Sequence, residues 1–341
     1  MTRPNHRPGA VLAMNPAKAA AIFDAPARQR LLDLVDTDPD LVLDDLTTEP
    51  AQRALANAEV LVTGWGCPPL DAGVLRAAPR LRAVVHTAGT VKGHVTEACW
   101  DRGLQVTSAA AANAVPVAEY TLAAILFANK RVLPARDAYR RTRDTAGTDW
   151  YARLSTAGNY RRRIGIIGAS RIGRRVIELL RPFDLQVLVS DPCLDAAGAA
   201  DLGVQLATLP ELFAGCDIVS VHAPWLPSTE GLVSRELLAA MPDRATLINT
   251  ARGALVDQQA LERELVSGRL DAVLDVTEPE VLPAASPLYD LPNVLLTPHI
   301  AGSMGVELRR MADFALDELE RWTRDLPFLD PVTRADWSRI A

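Results

Sequence analysis

Ile164-Gly165-Ile166-Ile167-Gly168-Ala169-Ser170-Arg171-Ile172-Gly173 is the stretch that decides how this chain folds. A short β-branched run ends in a glycine turn, and the residues beyond it keep helical apolar spacing as far as Leu180. The pattern is G-x-G-x-x-G with Ser170 in the middle glycine's place. Gly168 permits the tight strand-to-helix turn, and Gly173 lets the helix lie close on the strand. A helix starting there offers unsatisfied N–H groups and a positive dipole end to a pyrophosphate. Gly168, Ser170, Arg171, Ile172 and Gly173 are therefore candidate dinucleotide-binding positions, with the Ser170 hydroxyl able to donate to a phosphate. The next strand-like run, Gln186–Ser190, ends at Asp191. A carboxylate about 20 residues past the turn accepts from the adenosine ribose hydroxyls, and it repels a 2′-phosphate. NAD (NADH) is expected over NADP. Alone, the turn reads equally well as structural and Asp191 as a cap before Pro192; it is their combination that points to a dinucleotide.

Outward from this turn, short strand-type runs alternate with longer helical ones. Downstream the strands read Asp217–Val221, Thr246–Thr250, Ala272–Asp275 and Val294–Thr297, with helices at Leu209–Ala214, Ser234–Met241 and Asp257–Ser267. Upstream lies a second series, with strands Ala10–Met14, Val60–Thr63, Ala83–Thr87 and Gln105–Thr107 and helices Ala27–Leu34, Asp71–Ala77 and Val95–Arg102. Such alternation implies parallel strands with crossover helices, since parallel neighbours cannot be joined by a tight hairpin. Two α/β units are written in one chain. A long helical stretch, Val115–Leu133, joins them, followed by a polar segment, Pro134–Tyr160, that carries Tyr139, Trp150, Tyr151 and Tyr160. That segment reads as an interdomain joint or as an arm packing on a second subunit. A C-terminal helix, Val306–Trp322, could return to the first unit.

Three polar residues fall just past three strand ends of the second unit: Arg252, Glu280 (with Glu278 close by) and His299. Open α/β sheets bind ligands at this edge. A fixed cation can hold a carboxylate and polarise a reacting oxygen, and an imidazole titrates near working pH and can take a hydroxyl proton. A carboxylate beside the imidazole orients it and favours the imidazolium. Each alone reads as an ion-pair or core residue. Together, beside a dinucleotide turn, they suit hydride exchange between a nicotinamide and a 2-hydroxy or 2-oxo acid.

The chain resembles the D-isomer-specific 2-hydroxyacid dehydrogenases along most of its length. The matching stretches are Ile164–Gly173, His222-Ala223-Pro224 with Thr229, Ile248–Gly253, Leu274–Glu280 and Thr297–Gly302. Thr87-Ala88-Gly89-Thr90 is similar to the family's substrate-carboxylate loop, and Asn113 with Val117-Ala118-Glu119 to the start of its interdomain helix. The resemblance implies two Rossmann-like or flavodoxin-like parallel-sheet domains with an active-site cleft between them. It places a discontinuous substrate domain at 1–112 plus 300–341 and an NAD-binding domain at 113–299. It implies that Arg252, Glu280 and His299 are catalytic and that backbone N–H groups at Ala88, Gly89 and Thr90 receive the substrate carboxylate. Asp275 is then aimed at the nicotinamide carboxamide. His222, Ala223, Pro224, Thr229, Thr250, Ala251 and Gly302 complete the cofactor-binding set, and a homodimer is expected. The chain departs from the family at Ser170, at Val281 where proline is usual, at Lys92 where aspartate is common, and in the basic run Asn159–Arg163.

Composition agrees with a globular enzyme. The 341 residues are 49% hydrophobic and 23% charged, with a net charge of −6, which argues against a disordered chain and against a nucleic-acid partner. Lysine occurs only at Lys18, Lys92 and Lys130. Cys67, Cys99, Cys193 and Cys216 form no CxxC pair, so neither a metal site nor a disulfide framework is expected, and a cytoplasmic location is. No signal peptide and no membrane span are expected, the most apolar helical candidate being Leu122–Ala128; nor is an appended regulatory domain. Around the substrate loop, Trp65 reads as a lid or as an aromatic packed under its loop. Lys92 reads as a contact for a second negative group on a small acid, or as a solvated side chain. His86 could shape the pocket, whereas His94 and His222 read as structural or cofactor-edge residues. The competing reading is a non-catalytic NAD(H)-sensing regulatory protein on the same fold, of the corepressor type.

Overall fold

Parallel pairing runs through both series of apolar runs in the computed structural model, which describes residues 7–143 and 147–337. Contacts divide the chain into two units. One takes the chain up to Ala114 and again from Ser303, and the other spans Val115–Gly302.

In the first unit the strands are β1 (Ala10–Ala13), β2 (Val42–Leu43), β3 (Val60–Thr63), β4 (Ala83–His86) and β5 (Gln105–Ser108). Their order is β2-β1-β3-β4-β5, all parallel, and Pro331–Val332 closes the β5 edge antiparallel. This is the flavodoxin-like order, whose ligand crevice opens at the carboxyl ends of β1 and β3. Strands β1, β3 and β4 are buried throughout because helices cover both faces. On one face the helix Leu308–Thr323 lays Ala312, Ala315, Leu316, Leu319 and Trp322 against Leu31 and the strands. On the other, Leu55, Val74, Leu75 and Cys99 do the same.

In the second unit the strands are β6 (Arg163–Ile167), β7 (Gln186–Ser190), β8 (Gln205–Leu206), β9 (Ile218–Val221), β10 (Thr246–Asn249), β11 (Asp271–Leu274) and β12 (Val294–Leu296). They run β12-β11-β10-β9-β6-β7-β8, parallel at every pairing. The order reverses between β6 and β9, so the crevice of a dinucleotide fold lies at their carboxyl ends, where the glycine turn stands. Phe213, Leu238, Leu261 and Leu265 pack one face, and Ile125, Val176, Ile177 and Leu180 the other.

The differences from the sequence expectation have local causes. The two-residue edge strands β2, β8 and Pro331–Val332 are too short to show alternation. The helix Ala196–Leu202 is mostly alanine with a glycine and has almost no apolar stripe, so periodicity misses it. The joining helix runs Ala110–Asn129, not Val115–Leu133. It stops before Arg131, which takes a left-handed φ of 52°, and a new helix, Val132–Thr142, restarts with Pro134 in its first turn. The polar segment is therefore partly helical. At 20 residues, Ala110–Asn129 is long and apolar enough to cross a membrane by composition, contrary to the estimate from Leu122–Ala128. Its Ala118, Ala124 and Ile125 are packed in the core of the second unit. The last long helix starts two residues later than expected, after the 3-10 turn Gly305–Glu307.

Candidate active site

The glycine turn is built by two steric necessities. Gly168 has φ +93°, and a methyl group on it would stand 2.9 Å from the His222 carbonyl and the Ala223 nitrogen. A methyl on Gly173 would collide with the Gly168 carbonyl oxygen. Only glycine lets β6, its helix and the end of β9 approach this closely. Ser170 needs no such freedom: its backbone is extended and it caps the helix Arg171–Leu180, Oγ accepting from the Gly173 N–H at 3.3 Å. Arg174 Nε donates to the Ala169 carbonyl at 2.9 Å. Asp191 closes the turn from the side, its two oxygens accepting from the N–H groups of Ala169 (2.6 Å) and Cys193 (2.7 Å). Asp191 is thus both a cap of its own turn and a brace of the glycine turn.

Around this turn, His222 is buried, Nε2 sits 2.9 Å from Ser220 Oγ, and Nδ1 has no hydrogen-bond partner among the described residues. Burial pushes its pKa down to about 3. Thr229 shapes the loop after Ala223 and Pro224: Oγ1 donates to the Pro224 carbonyl (2.6 Å) and accepts from the Leu226 N–H (2.9 Å). Thr250 is buried with Oγ1 3.2 Å from Thr121 Oγ1.

The three polar residues past β10, β11 and β12 have distinct supports. Asn249 Oδ1 accepts from the Ala251 N–H and Asn249 Nδ2 donates to the Arg252 carbonyl, cross-bracing the turn that presents Arg252. Gly253 is pressed so tightly on the Thr277 carbonyl that no side chain fits. Arg252 is half-buried, with Nη1 donating to the Ala251 carbonyl at 2.6 Å. Burial pulls its pKa below the ordinary guanidinium value, and Glu280 opposes that pull. Glu280 Oε1 lies 2.6 Å from His299 Nδ1, so of the two neighbouring glutamates Glu280 is the one on the imidazole. Pairing at Nδ1 leaves Nε2 as the nitrogen through which a proton can be exchanged.

His299 has a left-handed φ of 55°, a conformation that costs a non-glycine residue roughly 1–2 kcal/mol. Asp275 enforces it. Its backbone carbonyl accepts from the His299 N–H (2.9 Å), and its carboxylate accepts from Thr297 Oγ1 (2.6 Å) and from the N–H groups of Ile300 and Ala301 (2.8 Å each). With its proton committed to Asp275, Thr297 Oγ1 accepts from the Tyr120 hydroxyl at 2.9 Å. The resemblance aims Asp275 at a nicotinamide carboxamide; in this chain its carboxylate already holds the histidine loop. Neither that bracing nor the Asn249 cross-brace was marked by the sequence. Gly302 ends the unit.

In the first unit, Thr87-Ala88-Gly89-Thr90 leaves β4 at the carboxyl edge of its sheet. The Thr87 N–H and hydroxyl both donate to the Thr63 carbonyl (2.7 and 2.9 Å). Thr90 Oγ1 accepts from the Lys92 N–H at 3.3 Å. Trp65 follows β3 and is 36% exposed, its carbonyl accepting from the Asn15 N–H. Beneath the loop, Thr63 Oγ1 lies 2.9 Å from His86 Nδ1 and 3.3 Å from His94 Nε2, with the two rings 4.4 Å apart. Burial, then the neighbouring His94 ring, drives His86 well below the usual imidazole range, against a hydrogen bond to the Thr90 backbone. Burial brings His94 down to about 4.

The sequence model of the D-isomer specific 2-hydroxyacid dehydrogenase NAD binding domain matches residues 122–301, more than half of the chain. The chain belongs to this family. The matched NAD-binding region holds the glycine turn, and the cofactor is NAD(H). Among curated relatives, the D-3-phosphoglycerate dehydrogenase of Mycobacterium tuberculosis is 33% identical over 301 residues, which is 87% of this chain and 51% of that protein. The chain thus spans about half the length of the phosphoglycerate dehydrogenases it matches. A glyoxylate reductase of Korarchaeum cryptofilum is 33% identical over 75% of this chain and 77% of its own. The crystal structure of a phosphoglycerate oxidoreductase from Rhizobium etli superposes with a TM-score of 0.79 at 25% identity, covering 96% of this chain and 99% of that one.

Two outcomes follow. His86, His94 and His222 are neutral in the fold, whereas in the unfolded chain they protonate below about pH 6.5. Above that pH they contribute nothing to the pH dependence; below it the unfolded state binds more protons and stability falls as pH falls. The loss continues to about pH 4 for His94 and about pH 3 for His222, on the order of 1 kcal/mol per pH unit for each. Urea midpoints measured between pH 7.5 and 4.5 should decline with this slope, and His94→Gln should make it shallower. If the Asp191 carboxylate also accepts from the adenosine ribose, as the sequence implies, Asp191→Asn should weaken NADH binding roughly ten-fold, one charge-assisted hydrogen bond's worth, and affect NADPH binding less. Fluorescence titration with both nucleotides reads the two effects.

Proposed function

We propose that this chain is an NAD-dependent oxidoreductase interconverting a small D-2-hydroxy acid and its 2-oxo acid. The observation that carries the reading is the 2.6 Å pairing of Glu280 Oε1 with His299 Nδ1 at the sheet edge that also presents Arg252. The residues present fit the cofactor. Gly168 and Gly173 leave no room for a side chain, the helix Arg171–Leu180 opens there, and the buried Nδ1 of His222 beside it has no partner among the described residues. Gly168, Ser170, Arg171, Ile172 and Gly173 would hold the pyrophosphate, and Asp191 the adenosine ribose. Ala223, Pro224, Thr229, Ala251 and Gly302 would line the rest of its path. When bound, NADH supplies the hydride.

The chain's own residues do the remaining work. The Arg252 guanidinium binds the substrate carboxylate and draws electron density onto the carbonyl oxygen as hydride reaches the carbon. His299 Nε2 delivers a proton to that oxygen, and in the reverse direction removes it from the hydroxyl. Glu280 fixes the ring at Nδ1 and stabilises the imidazolium. The N–H groups of Ala88, Gly89 and Thr90 receive the carboxylate, with Trp65 and Lys92 shaping the choice of acid. A cytoplasmic homodimer is in keeping with this reading, and the exposed Tyr139, Tyr151 and Tyr160 of the segment after the joining helix give a second copy an aromatic surface. The His–Glu pair, together with enzymes among the relatives, disfavours a purely NAD-sensing regulator.

NADH oxidation with glyoxylate, hydroxypyruvate and a panel of longer 2-oxo acids tests the proposal; no turnover with any of them would refute it. His299→Gln should cut kcat by roughly 10²–10⁴-fold with the NADH Kd unchanged, and retention of most of the rate would remove His299 from the proton transfer. Arg252→Lys keeps the charge and loses the planar fork. It should raise the KM of the 2-oxo acid, while Arg252→Ala should lose most activity; normal turnover in Arg252→Ala would make Arg252 a structural residue.

A further inference from the structure

Tyr120 stands on the joining helix Ala110–Asn129, inside the second unit, and its hydroxyl lies 2.9 Å from Thr297 Oγ1. Ala123, Ala124, Phe127 and Leu295 line a groove with its ring, an apolar setting that a phenylalanine would suit equally well. The hydroxyl is what the groove does not explain. Burial lifts the Tyr120 pKa above the ordinary phenol value, opposed by the bond to Thr297 and assisted by the Asp275 charge. The group is therefore a neutral O–H donor at working pH. An ionised carboxylate only accepts, so the Thr297 proton goes to Asp275 Oδ1 at 2.6 Å and Oγ1 is left to receive the Tyr120 proton. The series Tyr120→Thr297→Asp275 runs one way, and each bond polarises the next.

Its end point is the histidine loop. The Thr297 N–H donates to the Leu274 carbonyl at 2.9 Å, which ties Thr297 to the end of β11. The His299 N–H is shared between the carbonyls of Asp275 (2.9 Å) and Thr297 (3.0 Å). Both of its acceptors are thus members of the series that Tyr120 begins. We propose that Tyr120 is a positioning residue for the proton transfer: by holding the Thr297 hydroxyl onto Asp275 from the joining helix, it keeps the His299 ring where Glu280 meets it. The inference rests on the acid–base role of His299 given under Proposed function. The phenol acts only through Thr297 and Asp275 and does not touch the reacting atoms.

Tyr120→Phe deletes the hydroxyl and keeps the ring. With glyoxylate and hydroxypyruvate as probes, it should lower kcat roughly five-fold, the scale of one net hydrogen bond, with KM and the NADH Kd within about two-fold. Thr297→Val should lower kcat further, because it also removes the direct bond to Asp275, and Thr297→Ser should restore it. The double variant separates a role through Thr297 from an independent one. In Thr297→Val the phenol has nothing left to act on, so adding Tyr120→Phe should cost no further rate, whereas independent effects multiply. If Thr297→Val does not fold, His299→Gln serves as the background, and Tyr120→Phe should again add no loss. An unchanged kcat in Tyr120→Phe, a change confined to KM, a serine variant as impaired as the valine one, or multiplying effects in the double variant overturns the proposal. Failure of the underlying reading looks different, since His299→Gln alone would then keep most of its rate. A slow His299→Gln beside an unaffected Tyr120→Phe sinks the positioning role and leaves the acid–base role standing.

Discussion

Asp275 is 2% exposed, and its carboxylate accepts from one hydroxyl and two backbone N–H groups, all from the turn after β12. A buried carboxylate is tolerable only when its lone pairs are satisfied. Here the satisfying donors are Thr297, Ile300 and Ala301, which bracket the histidine. The turn is therefore wound around the carboxylate, and the left-handed backbone of His299 follows from that winding. Strain of this size persists where the surroundings over-determine it. The pairing of His299 Nδ1 with Glu280 at 2.6 Å is made from the position that this winding sets.

A second contact links the arginine to this assembly. Gly253 and the Thr277 carbonyl are packed backbone to backbone, so the turn carrying Arg252 and the turn leading to Glu280 cannot move independently. Thr277 Oγ1 in turn donates to the Pro279 carbonyl at 2.8 Å, stiffening the stretch that delivers Glu280. Three side chains from three strand ends thus share one rigid mount. Glycine at 253 has the same logic as glycine at 173: in both places the absence of a side chain lets two segments touch.

Much of this was legible in the sequence because it depends on residue type at a strand end. Gly168, Arg252 and His299 each stand just past the end of an apolar run, Gly173 follows in the first turn of the helix, and the parallel alternation on either side marks that edge as the ligand edge. What was not legible depends on register or on side-chain partners far along the chain. Thr63 and His86 meet because β3 and β4 pair in one register, which no local window displays. Asp275 looks the same in sequence whether its carboxylate faces a ligand or the amides of Ile300 and Ala301. Ser170 reads as a degenerate glycine until its extended backbone shows it to be a helix cap. The two-residue edge strands and the alanine-rich helix Ala196–Leu202 carry too few apolar side chains to announce themselves.

The chain leaves the first unit after Ala114 and returns at Ser303, and the Ser303 N–H donates to Asn113 Oδ1 at 2.8 Å. Exit and re-entry are thus stitched together by this hydrogen bond on the first unit. To that unit, the intervening residues amount to a long insertion at one surface point, and such insertions cost little because closure entropy grows only slowly with loop length. The flavodoxin-like sheet, whose core is assembled from both flanks of the insertion, gains a partner domain without any strand being displaced. The nucleotide-binding half is in effect a cassette, and a short linker between Asn113 and Ser303 would be long enough to bridge its removal.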